Sequence, residues 1–154
     1  MHKILFICHG NICRSPMAEF LLKDMVAKRG LAKAFEIASV ATSREEIGNP
    51  VHRGTREKLA QFGISVAGKH ATQLTKRDYE RYDLLLAMDS NNLRNIKRII
   101  SSDPDNKVHL LLDYAGRTGQ SIADPWYTGD FDLTYEDIKQ GLEGLLKQLG
   151  CGEQ

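Results

Sequence analysis

The sequence has little cysteine and lacks any long apolar run. Only three of its 154 residues are cysteine, and two of them, Cys8 and Cys13, fall in one short stretch. An odd number so placed is poor material for a secreted disulfide framework and is typical of a reducing compartment, so we expect a cytoplasmic protein. Since no segment approaches the ~20 apolar residues that cross a membrane, and residues 1–3 lead directly into a strand pattern, we expect neither a membrane anchor nor a signal peptide.

An excess of one charge sign is also absent. The chain has 21 Lys and Arg residues against 20 Asp and Glu, a net charge of +1. This balance gives no global attraction to nucleic acid or to a membrane surface. The spacing of cysteine and histidine matches no zinc site. Composition and length therefore indicate one ordinary domain able to bury its own core.

Apolar runs alternate with helical patterns along the whole chain. Four runs are predicted as strands: Lys3–Ile7, Phe35–Ser39, Leu84–Met88 and Val108–Leu112. Helices are predicted between and after them: one that starts directly after the first loop, has Ala18 on its apolar face and stops at Gly30, one from near Pro50 to Gly63, one at Thr75–Tyr82, one capped by Ser90 that contains Leu93, Ile96 and Ile99, and a last one that carries Ile138, Leu142, Leu145, Leu146 and Leu149. Apolar strands separated by helices predict an α/β fold, with a parallel sheet covered by helices on both faces.

The loop after the first strand carries the most informative motif. Cys8 ends the strand, Arg14 follows at the spacing C-x5-R, and Pro16 suits the first turn of a helix. A strand–loop–helix junction directs backbone N–H groups and the positive end of a helix dipole to one point, which suits a phosphate-like anion. A thiol there is expected to ionise readily and to attack phosphorus. A cysteine at a strand end is often only a small buried apolar residue, but the stretch between Lys3 and Glu19 has no carboxylate, which favours catalysis.

The loop after the fourth strand, residues 113–130, contains a candidate acid. In open α/β sheets, ligands bind at the carboxyl ends of the strands, so this loop is expected near Cys8. Asp124 can protonate a leaving oxygen and later accept a proton from water. Trp126 and Tyr127 offer aromatic walls for a flat leaving group. An Asp-Pro pair can also simply open a turn; its expected place beside Cys8 favours the catalytic role.

A resemblance to the active-site loop of the low molecular weight protein tyrosine phosphatases is carried by the run CHGNICRSPMAE, residues 8–19. It continues in the same order at residues 39–43, 47–50, 70–71, 88–89 and 124–127. The resemblance implies a four-stranded parallel sheet in the order 2-1-3-4, with the phosphate-binding loop after strand 1. It also implies one phosphatase domain over residues 1–154, without metal or cofactor.

The same resemblance implies hydrolysis of protein phosphotyrosine through a phosphocysteine. Cys8 is then the nucleophile, Arg14 the phosphate clamp, and Asp124 the general acid and later the base. The other expected site residues are the phosphate-binding His9, Gly10, Asn11, Ile12, Cys13 and Ser15, the supporting Ser39 and His70, and the cleft walls Glu45, Trp126 and Tyr127. Asn11 is expected in a left-handed conformation with side-chain hydrogen bonds toward Ser39 and His70, and Ser15 is expected to donate to the Cys8 sulfur.

The expected partners are phosphotyrosine-containing proteins, with no nucleic acid and no membrane; the oligomeric state is open. Family members often have a bulky apolar residue as one cleft wall, where this chain has Arg44-Glu45-Glu46. Glu45 is therefore expected to repel acidic residues beside the phosphotyrosine.

Three other functions remain to be weighed. Relatives that hydrolyse phosphoarginine carry threonine where Ile12 stands, so isoleucine favours an aryl ester. A thiol-based arsenate reductase needs resolving cysteines after the third strand, and residues 89–107 contain none. A cysteine phosphocarrier needs no acid, whereas Asp124 supplies one.

Cys13 is not required by the phosphatase chemistry. Its place on a loop that curls around one anion predicts that its sulfur comes close to that of Cys8, within reach of a disulfide. We expect that bridge to protect an oxidised Cys8 from further oxidation. The alternative is that Cys13 only packs at the start of the first helix.

Overall fold

A computed structural model describes residues 1–152. Its strands are β1 (His2–Cys8), β2 (Phe35–Ala41), β3 (Leu84–Ala87) and β4 (Val108–Leu110). Its α-helices are α1 (Arg14–Lys28), α2 (Arg53–Ala60), α3 (Lys76–Arg81), α4 (Ser90–Ile100), α5 (Pro125–Thr128) and α6 (Phe131–Gln148), with 3-10 turns at Ala32–Ala34 and Leu111–Ala115. Within residues 1–152, no helix has the length and apolar character needed to span a bilayer.

The four strands form one parallel sheet in the order β2-β1-β3-β4, which confirms the expected α/β topology. β1 lies inside the sheet because nearly all its side chains are apolar and can be buried on both faces. Ile4 and Phe6 point to the face covered by α1, α2 and α6, whereas Leu5 and Ile7 point to the face covered by α3 and α4. Helices on both faces are thereby confirmed.

The sheet order determines where a ligand can bind. β1 pairs with β2 on one side and β3 on the other, so strand order reverses at β1. Where strand order reverses, the loops that follow two adjacent parallel strands run to opposite faces of the sheet. A crevice opens between these loops at the carboxyl edge. Cys8 is the last residue of β1 and pairs with Ala41, the last residue of β2. The carboxyl edge is therefore where the candidate site forms.

Several predicted boundaries differ from the structure by one or more residues, and two of these differences have a clear physical cause. The fourth strand was expected to reach Leu112 but ends at Leu110, and the chain then enters a buried 3-10 turn in which Leu111 and Leu112 are still core residues. The helix expected to be capped by Ser90 is capped by Asp89. The Asp89 carboxylate accepts a hydrogen bond from the Asn92 N–H (2.8 Å), and the Asn92 side chain accepts one from the Asp89 N–H (3.1 Å). This reciprocal pair satisfies two N–H groups at the start of α4.

Candidate active site

The Cys8 sulfur lies in the loop between β1 and α1 and faces two hydrogen-bond donors. The Ser15 hydroxyl oxygen is 3.0 Å from Sγ, and the Asn11 backbone N–H donates to Sγ over 3.3 Å. Since the Asn11 side-chain amide donates to Ser15 Oγ (2.8 Å), the Ser15 proton is left to point at the sulfur. Both donors stabilise negative charge on Cys8, as expected for a nucleophile and a leaving group.

The bend of this loop depends on Asn11. Its φ of 59° is left-handed, a conformation that asparagine tolerates better than most residues. The Asn11 side chain is buried and donates to Ser39 Oγ (2.9 Å), while its Oδ1 accepts from the Thr72 N–H (3.2 Å). The Asn11 contact with Ser39 is thus formed, and the amide ties the loop to the end of β2.

The expected contact between Asn11 and His70 is wrong. His70 is exposed, with Nδ1 3.2 Å from the Gly68 carbonyl oxygen, and its backbone pairs with Pro50. The cation beside Ser39 is Lys69, one residue earlier, whose Nζ donates to the Ser39 carbonyl oxygen over 2.7 Å. Lys69 and His70 are neighbours in the chain, and of the two only Lys69 extends its side chain to Ser39.

Lys69 also balances a buried carboxylate. Its Nζ lies 3.1 Å from Glu19 Oε1, and the Glu19 side chain is only 5% exposed. Ser39 Oγ donates to the same Glu19 oxygen over 2.6 Å. A chain of hydrogen bonds therefore runs from Glu19 through Ser39 and Asn11 to Ser15 beside the nucleophile. Glu19 and Lys69 were not expected in this role.

Arg14, the first residue of α1, is held in place by hydrogen bonds to three other residues. Arg14 is only 2% exposed. Nη1 donates to Asp89 Oδ2 (2.7 Å) and to the Ile122 carbonyl oxygen (2.9 Å), and Nη2 lies 3.4 Å from Asp124 Oδ2. Burial acts to lower the pKa of the guanidinium, but Cys8, Asp89 and Asp124 outweigh it and raise that pKa. The planar group is a permanent cation in a fixed orientation beside the thiol.

Asp89 was not predicted as the partner of Arg14. The only available signal was its position, directly after β3 at the carboxyl edge of the sheet, within the pair 88–89 that carried part of the resemblance. Its two carboxylate oxygens have different partners: Oδ1 caps α4, and Oδ2 accepts a hydrogen bond from Arg14. One carboxylate thereby joins the helix to the guanidinium.

Asp124 is brought to the same place by the loop after β4, as expected. It caps the short helix α5, with Oδ1 accepting the Trp126 N–H over 3.0 Å. Pro125 occupies the first position of that helix, where its missing N–H is tolerated. The Asp124 side chain is 25% exposed, so its other oxygen faces both Arg14 and solvent. A carboxyl so placed can exchange protons with a bound ester and with water.

A cavity of about 130 Å³ opens above the sulfur. It is lined by Cys8, His9, Gly10, Ile12, Cys13, Arg14, Glu45, Glu46, Asp124, Trp126 and Tyr127. A larger groove of about 480 Å³ lies elsewhere, against Pro50, Arg56 and residues 63–70. Because that groove does not reach the thiol, we identify the smaller cavity as the site of chemistry.

The polar wall of this cavity has a definite structure. His9 Nε2 lies 2.8 Å from Glu45 Oε2, with both side chains largely exposed. Glu46 packs its methylene groups close to Gly10, where an added Cβ would come within 3.3 Å of Glu46 Cγ, and its carboxylate accepts from the Asn49 amide. Trp126 and Tyr127, 56% and 84% exposed, form the aromatic wall.

Cys13 borders the same cavity, and both it and Cys8 are free thiols. Burial, with the charge of Cys8 as the next cause, raises the pKa of Cys13 to about 12. Cys13 is thus protonated at neutral pH. Disulfide formation between them stays a prediction. Within residues 1–152, no three His, Cys, Asp or Glu side chains converge to hold a metal ion.

The family model described as low molecular weight phosphotyrosine protein phosphatase matches residues 3–154. The chain belongs to this family. It is 38% identical over 150 residues to the low molecular weight protein-tyrosine-phosphatase YfkJ of Bacillus subtilis, covering 97% of this chain and 96% of that protein.

Solved structures of phosphatases agree with this family assignment. The crystal structure of YfkJ superposes with a TM-score of 0.93 at 37% identity, covering 100% of this chain and 98% of that one. A Drosophila arginine phosphatase is similar at 30% identity, with a TM-score of 0.87 over 96% of this chain and 97% of that one. The family fold is therefore also found in a protein named as an arginine phosphatase.

Proposed function

We propose that this chain hydrolyses protein phosphotyrosine and small aryl phosphates through a phosphocysteine on Cys8. The observation that carries the proposal is the environment of one sulfur. The Ser15 hydroxyl and the Asn11 N–H face Sγ, and Arg14 and Asp124 border the same cavity. This arrangement combines a nucleophile, an oxyanion clamp and a proton donor.

The first step transfers the phosphoryl group to sulfur. The Cys8 thiolate attacks phosphorus, an S–P bond forms, and the P–O bond to the phenol breaks. Asp124, protonated at the start, gives its proton to the departing phenolic oxygen. Backbone N–H groups of residues 9–14 and the Arg14 guanidinium bind the three phosphoryl oxygens, where negative charge develops.

The second step releases phosphate. Asp124, now a carboxylate, accepts a proton from water, whose oxygen attacks phosphorus as the S–P bond breaks. Cys8 leaves as a thiolate, and the Ser15 hydroxyl stabilises that charge through its 3.0 Å contact with the sulfur. The active site returns to its starting form, so the enzyme turns over many times. A phosphocarrier would instead accept one phosphoryl group and stop.

Phosphoarginine is the second candidate substrate, because a similar fold occurs in the Drosophila arginine phosphatase. The residue that separates the candidates is Ile12, which lines the cavity. An apolar side chain suits a phenyl ring and offers no acceptor to a guanidinium, whose N–H groups would lose their water partners. Ile12 therefore favours phosphotyrosine.

Turnover on both substrates tests this choice. We expect wild type to release phosphate from a phosphotyrosine peptide over many cycles and to act poorly on a matched phosphoarginine peptide. Ile12→Thr should raise the ratio of phosphoarginine to phosphotyrosine hydrolysis by about 2- to 10-fold, the worth of one hydrogen bond. The measurement is kcat/KM for both peptides. Release of one equivalent of dephosphorylated peptide, with the phosphoryl group retained on the protein, would support a carrier. An unchanged ratio of phosphoarginine to phosphotyrosine hydrolysis would show that Ile12 does not select the substrate.

Glu45 is expected to select the residues beside the phosphotyrosine. Since Glu45 and Glu46 face the cavity, basic neighbours should bind better than acidic ones. An exposed charge pair is worth about 0.2–1 kcal/mol, so we expect wild type to prefer a lysine-flanked over a glutamate-flanked peptide by roughly 2- to 5-fold. Glu45→Gln should reduce the preference and Glu45→Lys should reverse it, as measured by kcat/KM at low salt.

Two controls make this result specific. High salt should weaken the preference, because it screens exposed charges. Glu57→Gln should leave the preference unchanged, because Glu57 is an exposed glutamate on α2 that pairs with Arg53. If Glu45→Lys keeps the wild-type preference, the wall does not select substrates.

We also propose that residues 1–154 act as one catalytic domain in the cytoplasm, on phosphotyrosine-containing proteins. The location is supported by the three free cysteines, one of which is the nucleophile and must stay reduced to act.

A further inference from the structure

His52 stands directly before α2 and joins that helix to the phosphate-binding loop. Its backbone N–H donates to the Ile12 carbonyl oxygen over 2.8 Å. Three residues later, the buried Thr55 hydroxyl donates to the Cys13 carbonyl oxygen over 3.1 Å. The start of α2 thus binds two outward-facing carbonyl groups of the loop.

The ring of His52 reaches in another direction, into an aromatic cluster. It stacks on Phe131 with a centroid distance of 5.5 Å and an interplanar angle of 11°, and meets Trp126 in a T-shaped arrangement at 5.4 Å. Phe131 lies so close to Gly54 that a Cβ there would overlap its ring. The absence of a side chain at Gly54 is therefore what lets the ring pack on the backbone of α2.

Trp126 belongs to the turn that holds the acid. The backbone N–H of Trp126 donates to Asp124 Oδ1 (3.0 Å), so the other carboxylate oxygen, Oδ2, faces Arg14. Trp126 is 56% exposed, and its ring lies against that of His52. The His52 ring links the acid turn to the element that supports the phosphate loop.

We propose that His52 is a positioning residue, whose ring holds Trp126 and so keeps the Asp124 carboxyl above the phosphate-binding loop. The proposal rests on the proposed function, because it takes Asp124 as the general acid. His52 is expected to affect the geometry of proton transfer from Asp124. Binding of the phosphoryl group depends on Arg14 and the phosphate-binding loop instead.

Two roles of His52 can be separated by substitution. Its Nδ1 accepts the Gly54 N–H over 3.0 Å and so caps α2. Asparagine is a preferred N-cap but has no ring, so His52→Asn keeps the cap and removes the contact with Trp126. Phenylalanine has a ring but no acceptor, so His52→Phe keeps the contact and removes the cap. Both variants keep the backbone bond to Ile12.

The experiment compares kcat/KM for p-nitrophenyl phosphate, whose leaving group needs little protonation, with phenyl phosphate, whose leaving group needs it. We expect His52→Asn to lose about tenfold on phenyl phosphate, the order of a lost aromatic contact, and little on p-nitrophenyl phosphate. His52→Phe should restore wild-type behaviour on both esters while melting at a lower temperature. The melting temperature of His52→Asn should stay near that of wild type.

Each other outcome is decisive. If His52→Asn slows both esters equally, or neither, His52 does not position the acid. If His52→Phe loses as much as His52→Asn on phenyl phosphate, the ring contact is not the cause. Wild-type turnover of a phosphotyrosine peptide, measured alongside, tests the proposed function separately, so the two can fail independently.

Discussion

Replacing Cys8 by serine is expected to reduce hydrolysis of aryl phosphates by roughly 10⁴-fold or more, the order seen when an enzyme loses its nucleophile. A hydroxyl is far harder to ionise than a thiol, and the other cysteine of the cavity, Cys13, stays protonated because burial raises its pKa to about 12. The variant should fold normally, since Ser15 and Asn11 can bond to a hydroxyl as they do to Sγ.

Turnover of p-nitrophenyl phosphate and the melting temperature measure these two properties. Cys151→Ser is the matched control, because Cys151 is a free cysteine near the end of the described chain, with its thiol toward the Leu149 carbonyl oxygen. It should keep wild-type activity. Substantial turnover by a folded Cys8→Ser protein would rule out a phosphocysteine.

Asp124→Asn is expected to lower kcat/KM for phenyl phosphate by about 10²- to 10⁴-fold, the usual contribution of a general acid. The loss on p-nitrophenyl phosphate should be much smaller, because that phenolate leaves readily without a proton. Stability should be preserved, since an asparagine oxygen can still accept the Trp126 N–H at the start of α5.

The measurement uses a series of phenyl phosphates whose leaving phenols differ in pKa. The plot of log kcat/KM against the pKa of the leaving phenol should have a steeper slope for the variant than for wild type. Asp130→Asn serves as control, because Asp130 caps α6 from the same loop through the Leu133 N–H, 2.9 Å away. It should leave the slope unchanged. Equal slowing of every ester by Asp124→Asn would assign the proton to another group.

The elements that bring these groups together could be predicted because their signals are local. Apolar runs and helical periodicity placed the strands and most helices, and an alternating pattern of this kind leaves few topologies. Cys8 and Asp124 then follow from one rule, that loops leaving parallel strands meet at the carboxyl edge.

The errors arose where local signals are ambiguous. Leu111 and Leu112 are apolar because they are buried, and burial is the same in a strand and in a 3-10 turn. Asp89 and Ser90 are both good caps, and only the reciprocal bonds with Asn92 select the first.

The polar support of the loop was the least predictable part. Lys69, rather than its neighbour His70, reaches Ser39, and the order of these two residues alone does not specify which side chain makes that contact. The contacts of Glu19 with Lys69 and of Arg14 with Asp89 join residues distant in sequence. Their pairing depends on the packed geometry, which residue types alone do not specify.

The bonds from Arg14 to Asp89 and Ile122 have a consequence for affinity. A free arginine side chain that must order itself around an anion loses up to ~2 kcal/mol of conformational entropy. Here that ordering is complete once the protein has folded. In the proposed reaction, phosphate therefore meets a guanidinium with little freedom left to lose, a difference worth about tenfold or more in binding. On the proposed function, the expected contribution of the Asp89 carboxylate to affinity is to restrict the motion of Arg14 rather than to contact the substrate.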